Sequence, residues 1–274
     1  MGRDLFDQVP EFAELESNID AALGYSMRRL CLEDPRGQLN DTRYTQPALY
    51  TINALYYYKG RRAGQQPQFL AGHSLGEYNA LLVAGVFDFM TGLRIVRQRG
   101  ELMASAGKGA MAAVVGLDSA RLEDILGEKG LEALDIANYN SPSQIVLSGP
   151  VSDIEAAGRY LRGFGATRFV PLQVSAAFHS RYMAASAAEL TTFLEPCVFR
   201  KPTAVVISNV TAQPYPDGDS CSAEIKSLLV RQMTESVRWC QSVRYLISRG
   251  ATAFVELGPG NVLTQLVQEI RRQR

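Results

Sequence analysis

Two rhythms of apolar spacing divide the chain. From Tyr44 to Lys59 the spacing predicts a helix, with Gln46 and Pro47 near its start. Phe69 to Ala71 is a short apolar run that stops at a glycine, as the end of a buried strand does. Helical character resumes over Leu75 to Ala84, so Ser74 falls at a strand-to-helix turn. Another helix is predicted from about Asp88 to Met103, with Asp88 as its cap.

In the middle of the chain the period shortens. Ala110 to Leu117 reads as a strand and Ser119 to Lys129 as a helix. Leu134 to Asn138 and Ile145 to Ser148 read as strands around the turn-like Asn140-Ser141-Pro142. Val151 to Phe164 is predicted helical and Arg168 to Val174 extended, which completes the β-α-β-β-α-β order of a split ferredoxin-like unit. Farther on, Arg181 to Leu194, Ala223 to Met233 and Val237 to Arg249 are predicted helices, followed by a terminal helix. Ala204 to Ser208 and Ala253 to Leu257 are predicted strands, the second running into Gly258-Pro259-Gly260. Strands alternating with helices imply a mainly parallel sheet covered on both faces. The expected architecture is α/β. A large subdomain from residues 1–104 and 178–274 is interrupted by a small ferredoxin-like one at 105–177.

Composition narrows the function classes. Of 274 residues 46% are hydrophobic, enough for a full core. Lysine plus arginine equal aspartate plus glutamate at 28 each, which offers no electrostatic footprint for nucleic acid or an anionic membrane. Cys31, Cys197, Cys221 and Cys240 have no C-x-x-C spacing, so neither a metal site nor a disulfide framework is expected. The longest apolar stretches, such as Ala80 to Phe87, fall far short of a membrane span. A cytoplasmic monomer is expected.

Gly72-His73-Ser74-Leu75-Gly76 matches G-x-S-x-G, the sharp turn that holds a nucleophilic serine oxygen at the end of a strand. A glycine-rich turn with an incidental serine has the same letters; the strand-to-helix position favours the nucleophile. A serine nucleophile needs a base, and the chain has only two histidines. His73 is adjacent to Ser74, so its ring should project away, which leaves His179. No carboxylate stands out as the usual third member, which points to a serine–histidine dyad oriented by another group.

The helix after the nucleophile carries a substrate clue. At 100° per residue Arg94, Arg97, Gln98 and Glu101 form one polar face, whereas Arg99 lies among Ile95, Val96, Leu102 and Met103. A guanidinium there is costly without an anion. Either an internal Asp or Glu pairs with it, or it clamps a substrate carboxylate.

These segments resemble a known family. Gly-His-Ser-Leu-Gly-Glu at 72–77, Arg99-Gly100-Glu101-Leu102-Met103, Gly109-Ala110-Met111-Ala112-Ala113 and Asn138-Tyr139-Asn140-Ser141-Pro142 resemble malonyl-CoA:acyl carrier protein transacylases. So do Thr45-Gln46-Pro47-Ala48, Phe178-His179-Ser180 and Glu256-Leu257-Gly258-Pro259-Gly260. Ala176-Ala177-Phe178-His179-Ser180 and Ile207-Ser208-Asn209-Val210-Thr211 look most like the stand-alone acyltransferases of trans-acyltransferase polyketide synthases.

The resemblance implies an α/β-hydrolase-like large subdomain, Ser74 as the acylated nucleophile and His179 as base. It implies a main-chain carbonyl at Gln232 orienting the imidazole and the Leu75 N–H as an oxyanion donor. It places Arg99 on the malonyl carboxylate, with Gln46, Met103 and Phe178 around the acyl group. Malonyl-CoA is then the substrate and an acyl carrier protein, bearing phosphopantetheine, the partner; no cofactor stays bound to the chain itself. The family also opens with a strand and a Gly-Gln-Gly-Ser-Gln loop that supplies a second oxyanion N–H. This sequence begins at Met1-Gly2-Arg3-Asp4-Leu5-Phe6, which resembles the stretch after that loop, so the natural beginning is expected to be missing. Two other readings stay open: an acyl hydrolase of the same fold, and a non-catalytic module that docks a carrier protein.

Overall fold

The computed structural model describes residues 1–273. Three helices lead the chain: α1 (Leu5–Gln8), α2 (Pro10–Leu23) and α3 (Met27–Glu33). The long helix α4 (Thr42–Arg62) starts two residues before the predicted point, because the Asp41 side chain accepts from the Arg43 N–H and caps it. Strand β1 (Phe69–Ala71) leads through the Ser74 turn into α5 (Gly76–Val83). Helix α6 (Phe89–Ser105) follows, capped as predicted by Asp88, which accepts from the Thr91 N–H at 2.7 Å.

Helices α6 and α4 pack closely because Gly100 lets them. A Cβ there would sit 2.9 Å from the Thr42 carbonyl oxygen. That contact holds Arg99, next in the chain, against the start of α4.

The middle of the chain follows the predicted order: β2 (Ala110–Val115), α7 (Ser119–Glu128), β3 (Asp135–Ser141), β4 (Gln144–Gly149), α8 (Val151–Leu161) and β5 (Arg168–Pro171). The strands form an antiparallel sheet in the order β3-β4-β2-β5. Period-two alternation serves two cores at once. Ala112, Val114, Ile145 and Leu147 face a core closed by α7 and α8, through Leu122, Ile125, Ile154 and Ala157. Met111 and Val146, from the same strands, face the main core instead.

The rest comprises α9 (Ala184–Leu194), β6 (Val205–Ile207), α10 (Cys221–Thr234), α11 (Trp239–Ser248) and α12 (Val262–Arg272). Strand β6 pairs in parallel with β1, Phe69 against Val205 through Ala71 against Ile207. The mixed α/β class thus holds, with a short parallel pair in the large part and a separate antiparallel sheet in the small one.

One predicted element is corrected. Ala253–Leu257 is not a strand. No described segment pairs with it, and Val255 is 67% exposed. Apolar alternation makes a strand only where a neighbour supplies the ladder. Glu256 instead caps α12, accepting from the Leu263 and Thr264 N–H groups at 3.1 and 2.8 Å. Among the described residues no helix is long and apolar enough to cross a membrane.

Candidate active site

The G-x-S-x-G segment forms a tight turn between β1 and α5. A Cβ on Gly72 would lie 1.9 Å from the Gly76 carbonyl carbon, so the turn excludes any larger residue there. Ser74 has φ +50°, a left-handed conformation rare for a residue with a side chain. Asn209, just beyond β6, holds the turn in that shape. Its Oδ1 accepts from the Ser74 N–H at 2.7 Å and its Nδ2 donates to the Gly72 carbonyl at 2.6 Å. The Leu75 N–H, by contrast, has no hydrogen-bond partner among the described residues. It is a free donor beside the serine.

His179 also has a left-handed backbone, at φ +54°. Its Nε2 lies 2.8 Å from Ser74 Oγ and its Nδ1 2.7 Å from the Gln232 main-chain oxygen. A carbonyl only accepts, so Nδ1 carries the proton and the Nε2 lone pair faces the serine hydroxyl. Gln232 lies in the last turn of α10, where carbonyls lack intrahelical partners. The negative end of that helix also favours a developing imidazolium. These two effects stand where a triad has its carboxylate. Burial, then the nearby Arg99 cation, lower the His179 pKa from 6.5 to about 3. His73 turns away as expected, its Nε2 2.8 Å from Asn140 Oδ1.

Arg99 is 1% exposed and forms no salt bridge with any described carboxylate. That removes the internal ion pair as its explanation. Its partners are neutral oxygens: Gln46 Oε1 at 2.6 Å, Ser74 Oγ at 2.9 Å and Gln232 Oε1 at 3.0 Å. The Nε atom is buried with no partner, and the guanidinium lies 5.5 Å from the Tyr78 ring centroid. Burial lowers the Arg99 pKa, as it must for a cation surrounded by dipoles rather than charges. Gln46 completes its geometry by donating to Thr42 Oγ1 at 2.6 Å and to Met103 Sδ at 3.2 Å.

Of the sequence-predicted residues, Ser74, His179, Arg99, Gln46, Met103 and Gln232 form one connected cluster, with the Leu75 N–H beside it. Phe178 packs into the main core next to His179. A cleft of about 470 Å³, lined by Asp135, Tyr139, Arg181, Ser236 and Arg238, opens onto His179.

Sequence reasoning missed the layer underneath. Glu77 is fully buried; its Oε1 accepts from the Asn209 N–H at 2.8 Å and the Tyr215 hydroxyl at 2.7 Å, and its Oε2 from Gln232 Nε2. Burial raises its pKa from 4.5 to about 7, against those three donors. The one available signal was the carboxylate at the sixth position of Gly-His-Ser-Leu-Gly-Glu.

The whole chain, residues 1–274, matches the acyl transferase domain family. The chain is 50% identical to the polyketide biosynthesis malonyl CoA-acyl carrier protein transacylase BaeC of Bacillus velezensis, over 100% of this chain and 92% of that protein. It superposes with a TM-score of 0.93 on a malonyl CoA-acyl carrier protein transacylase from Burkholderia pseudomallei, 48% identical, covering 100% of this chain and 93% of that one. A malonyl-transacylase solved in complex with a type II polyketide synthase acyl-carrier protein matches with a TM-score of 0.91 at 34% identity, over 98% of this chain and 87% of that one. With a match of that extent, the chain belongs to the acyl transferase domain family.

Proposed function

We propose that the chain transfers malonyl groups from malonyl-CoA to the phosphopantetheine thiol of an acyl carrier protein, in polyketide or fatty acid biosynthesis. The observation that carries the cargo is Arg99: a buried cation with no carboxylate partner, its Nη2 2.9 Å from Ser74 Oγ. A substrate carboxylate is the partner that such a guanidinium lacks, and the carbon to which it is attached lies next to the thioester carbonyl.

The steps balance without redox chemistry. Ser74 Oγ passes its proton to His179 Nε2 and bonds to the thioester carbon, the oxyanion being met by the Leu75 N–H. The C–S bond breaks, and CoA leaves as a thiol with the proton from His179. The carrier thiol then gives its proton to His179, its sulfur bonds to the malonyl carbon, and the Oγ–C bond breaks with the proton returned to Ser74. Phosphopantetheine belongs to the carrier protein, and the chain itself needs no resident cofactor. Arg99 also donates to Ser74 Oγ, which stabilises negative charge on that oxygen as the proton leaves.

The names of the relatives support this cargo and this partner. The test is Arg99→Ala, assayed for transfer to a holo carrier protein. Malonyl kcat/KM should fall about a hundredfold, as for loss of a buried charge pair, while acetyl transfer, which loses only the bond to Ser74 Oγ, falls less. An unchanged malonyl-to-acetyl ratio would remove the clamp, and release of free malonate with no malonyl-carrier product would make the chain a hydrolase.

A further inference from the structure

Arg99 and Glu77 are both buried, yet they do not touch; the Gln232 side chain stands between them. Glu77 Oε2 accepts from Gln232 Nε2, which also donates to the Ser74 carbonyl at 2.9 Å, while Gln232 Oε1 accepts from Arg99 Nη2 at 3.0 Å. We propose that Glu77 is a positioning residue for acyl specificity: it fixes the Gln232 amide with its oxygen toward Arg99, and so holds the guanidinium where it reads an acyl carboxylate. This inference rests on the proposed function of Arg99.

The orientation follows from donor and acceptor inventory. The Ser74 main-chain carbonyl has no proton to give, so the amide edge that faces it must be the NH₂, and Glu77 Oε2 accepts from that same edge. Its oxygen is thereby turned to the other side, where Arg99 needs an acceptor. Glu77 is itself held by two donors that do not involve Gln232, the Asn209 N–H and the Tyr215 hydroxyl. Those bonds stop it from swinging toward Arg99. A carboxylate in direct contact would neutralise the cation and leave nothing for the substrate. With one amide as spacer, the buried pair is attracted but the guanidinium face stays unpaired.

The experiment measures kcat and KM for malonyl-CoA and acetyl-CoA with a holo acyl carrier protein, in wild type, Glu77→Gln, Gln232→Met and Tyr215→Phe. In Glu77→Gln the Asn209 N–H and Tyr215 hydroxyl hold the new amide oxygen, so its NH₂ faces the Gln232 NH₂; the two donors repel, and the Gln232 amide, left with only the Ser74 carbonyl, shifts its oxygen away from Arg99. The malonyl-to-acetyl ratio of kcat/KM should fall about tenfold or more in Glu77→Gln, mainly through malonyl KM, for the lost charge-assisted bond. Gln232→Met keeps the main-chain carbonyl that holds His179 and should shift the ratio the same way. Tyr215→Phe removes a packing bond to Glu77 and should lower Tm with the ratio within about twofold, because Glu77 keeps its bond to Gln232. A folded Glu77→Gln whose ratio matches wild type overturns the proposal. If Glu77→Gln does not fold, an unchanged ratio in Gln232→Met overturns it equally. A wild type with no malonyl preference would instead sink the function proposed for Arg99.

Discussion

The core under the four-stranded sheet of residues 110–171 and the cluster around Ser74 are both buried, but they draw on the chain differently. The sheet is made by neighbours in sequence: β3 and β4 are joined by a two-residue turn, and β2 pairs with β4 and β5 within the same stretch. The side chains that face its α7–α8 core are apolar, and each needs only to be covered. The serine cluster gathers residues 46, 74, 77, 99, 179, 209 and 232, and almost every partner is fixed by a directional hydrogen bond. A core of the first kind tolerates change in proportion to volume, and one of the second kind fails at single atoms.

The strand β3 is where the two meet. Its Tyr139 N–H donates to the Val237 carbonyl at 3.0 Å, and the Val237 N–H donates to the Ala137 carbonyl at 2.8 Å, five residues past Gln232. Asp135 pairs with Arg181 beside His179, and Asn140 meets His73 beside Ser74. The small sheet thus braces the segments of both Ser74 and His179 without supplying either residue.

The contrast is sharpest at Ser74 itself. Ser74→Ala removes one oxygen and almost no volume. It should abolish the covalent acyl adduct seen by intact mass and cut transfer by about 10⁴-fold or more, with the melting temperature nearly unchanged. A residual adduct would place the nucleophile elsewhere. Leu147→Ala in the small core should do the reverse. It should cost about 2–5 kcal/mol of stability by denaturant titration, while kcat of the folded protein stays within a few-fold. Equal losses in both quantities would mean that the two regions are not separable.

A smaller effect probes the electrostatics of the cluster. His179 is held neutral by burial and by Arg99, with a pKa of about 3. A base with a lowered pKa keeps its lone pair as pH falls, so the acid limb of kcat/KM should lie well below the ordinary histidine value of 6.5. In Arg99→Ala the cation's share of the lowering is lost, and the limb should move toward higher pH. A limb at the ordinary histidine value in wild type, unmoved by the substitution, would show that the ring is solvated in the working enzyme.

Much of this is legible in the sequence. Alternation over 110–171 predicted a sheet whose residues contact near neighbours in sequence, where periodicity is informative. Ser74 and His179 followed from a turn motif and a shortage of imidazoles, and Arg99 from being the one cation on an apolar helix face. The failure at Ala253–Leu257 has the opposite cause, since a strand is a property of a pair and the sequence shows only one member. The roles of Glu77 and Asn209 were not legible either, beyond the place of the Glu77 carboxylate in its motif, because they lie in hydrogen bonds between residues 132 and 135 positions apart.

By itself, then, the chain determined most of its element order, the turn that carries Ser74, His179 as the histidine free to face it, and the odd position of one arginine. All of these depend on local spacing or on the scarcity of a residue type. The Gln232 carbonyl was implied only by family resemblance. That Arg99 has no acid beside it, and that an amide separates it from Glu77, was decided by the tertiary structure. Whether a buried charge is paired or left open depends on hydrogen-bond distances of about 3 Å between residues far apart in sequence, and those exist only once α4, α5, α6 and α10 have packed together.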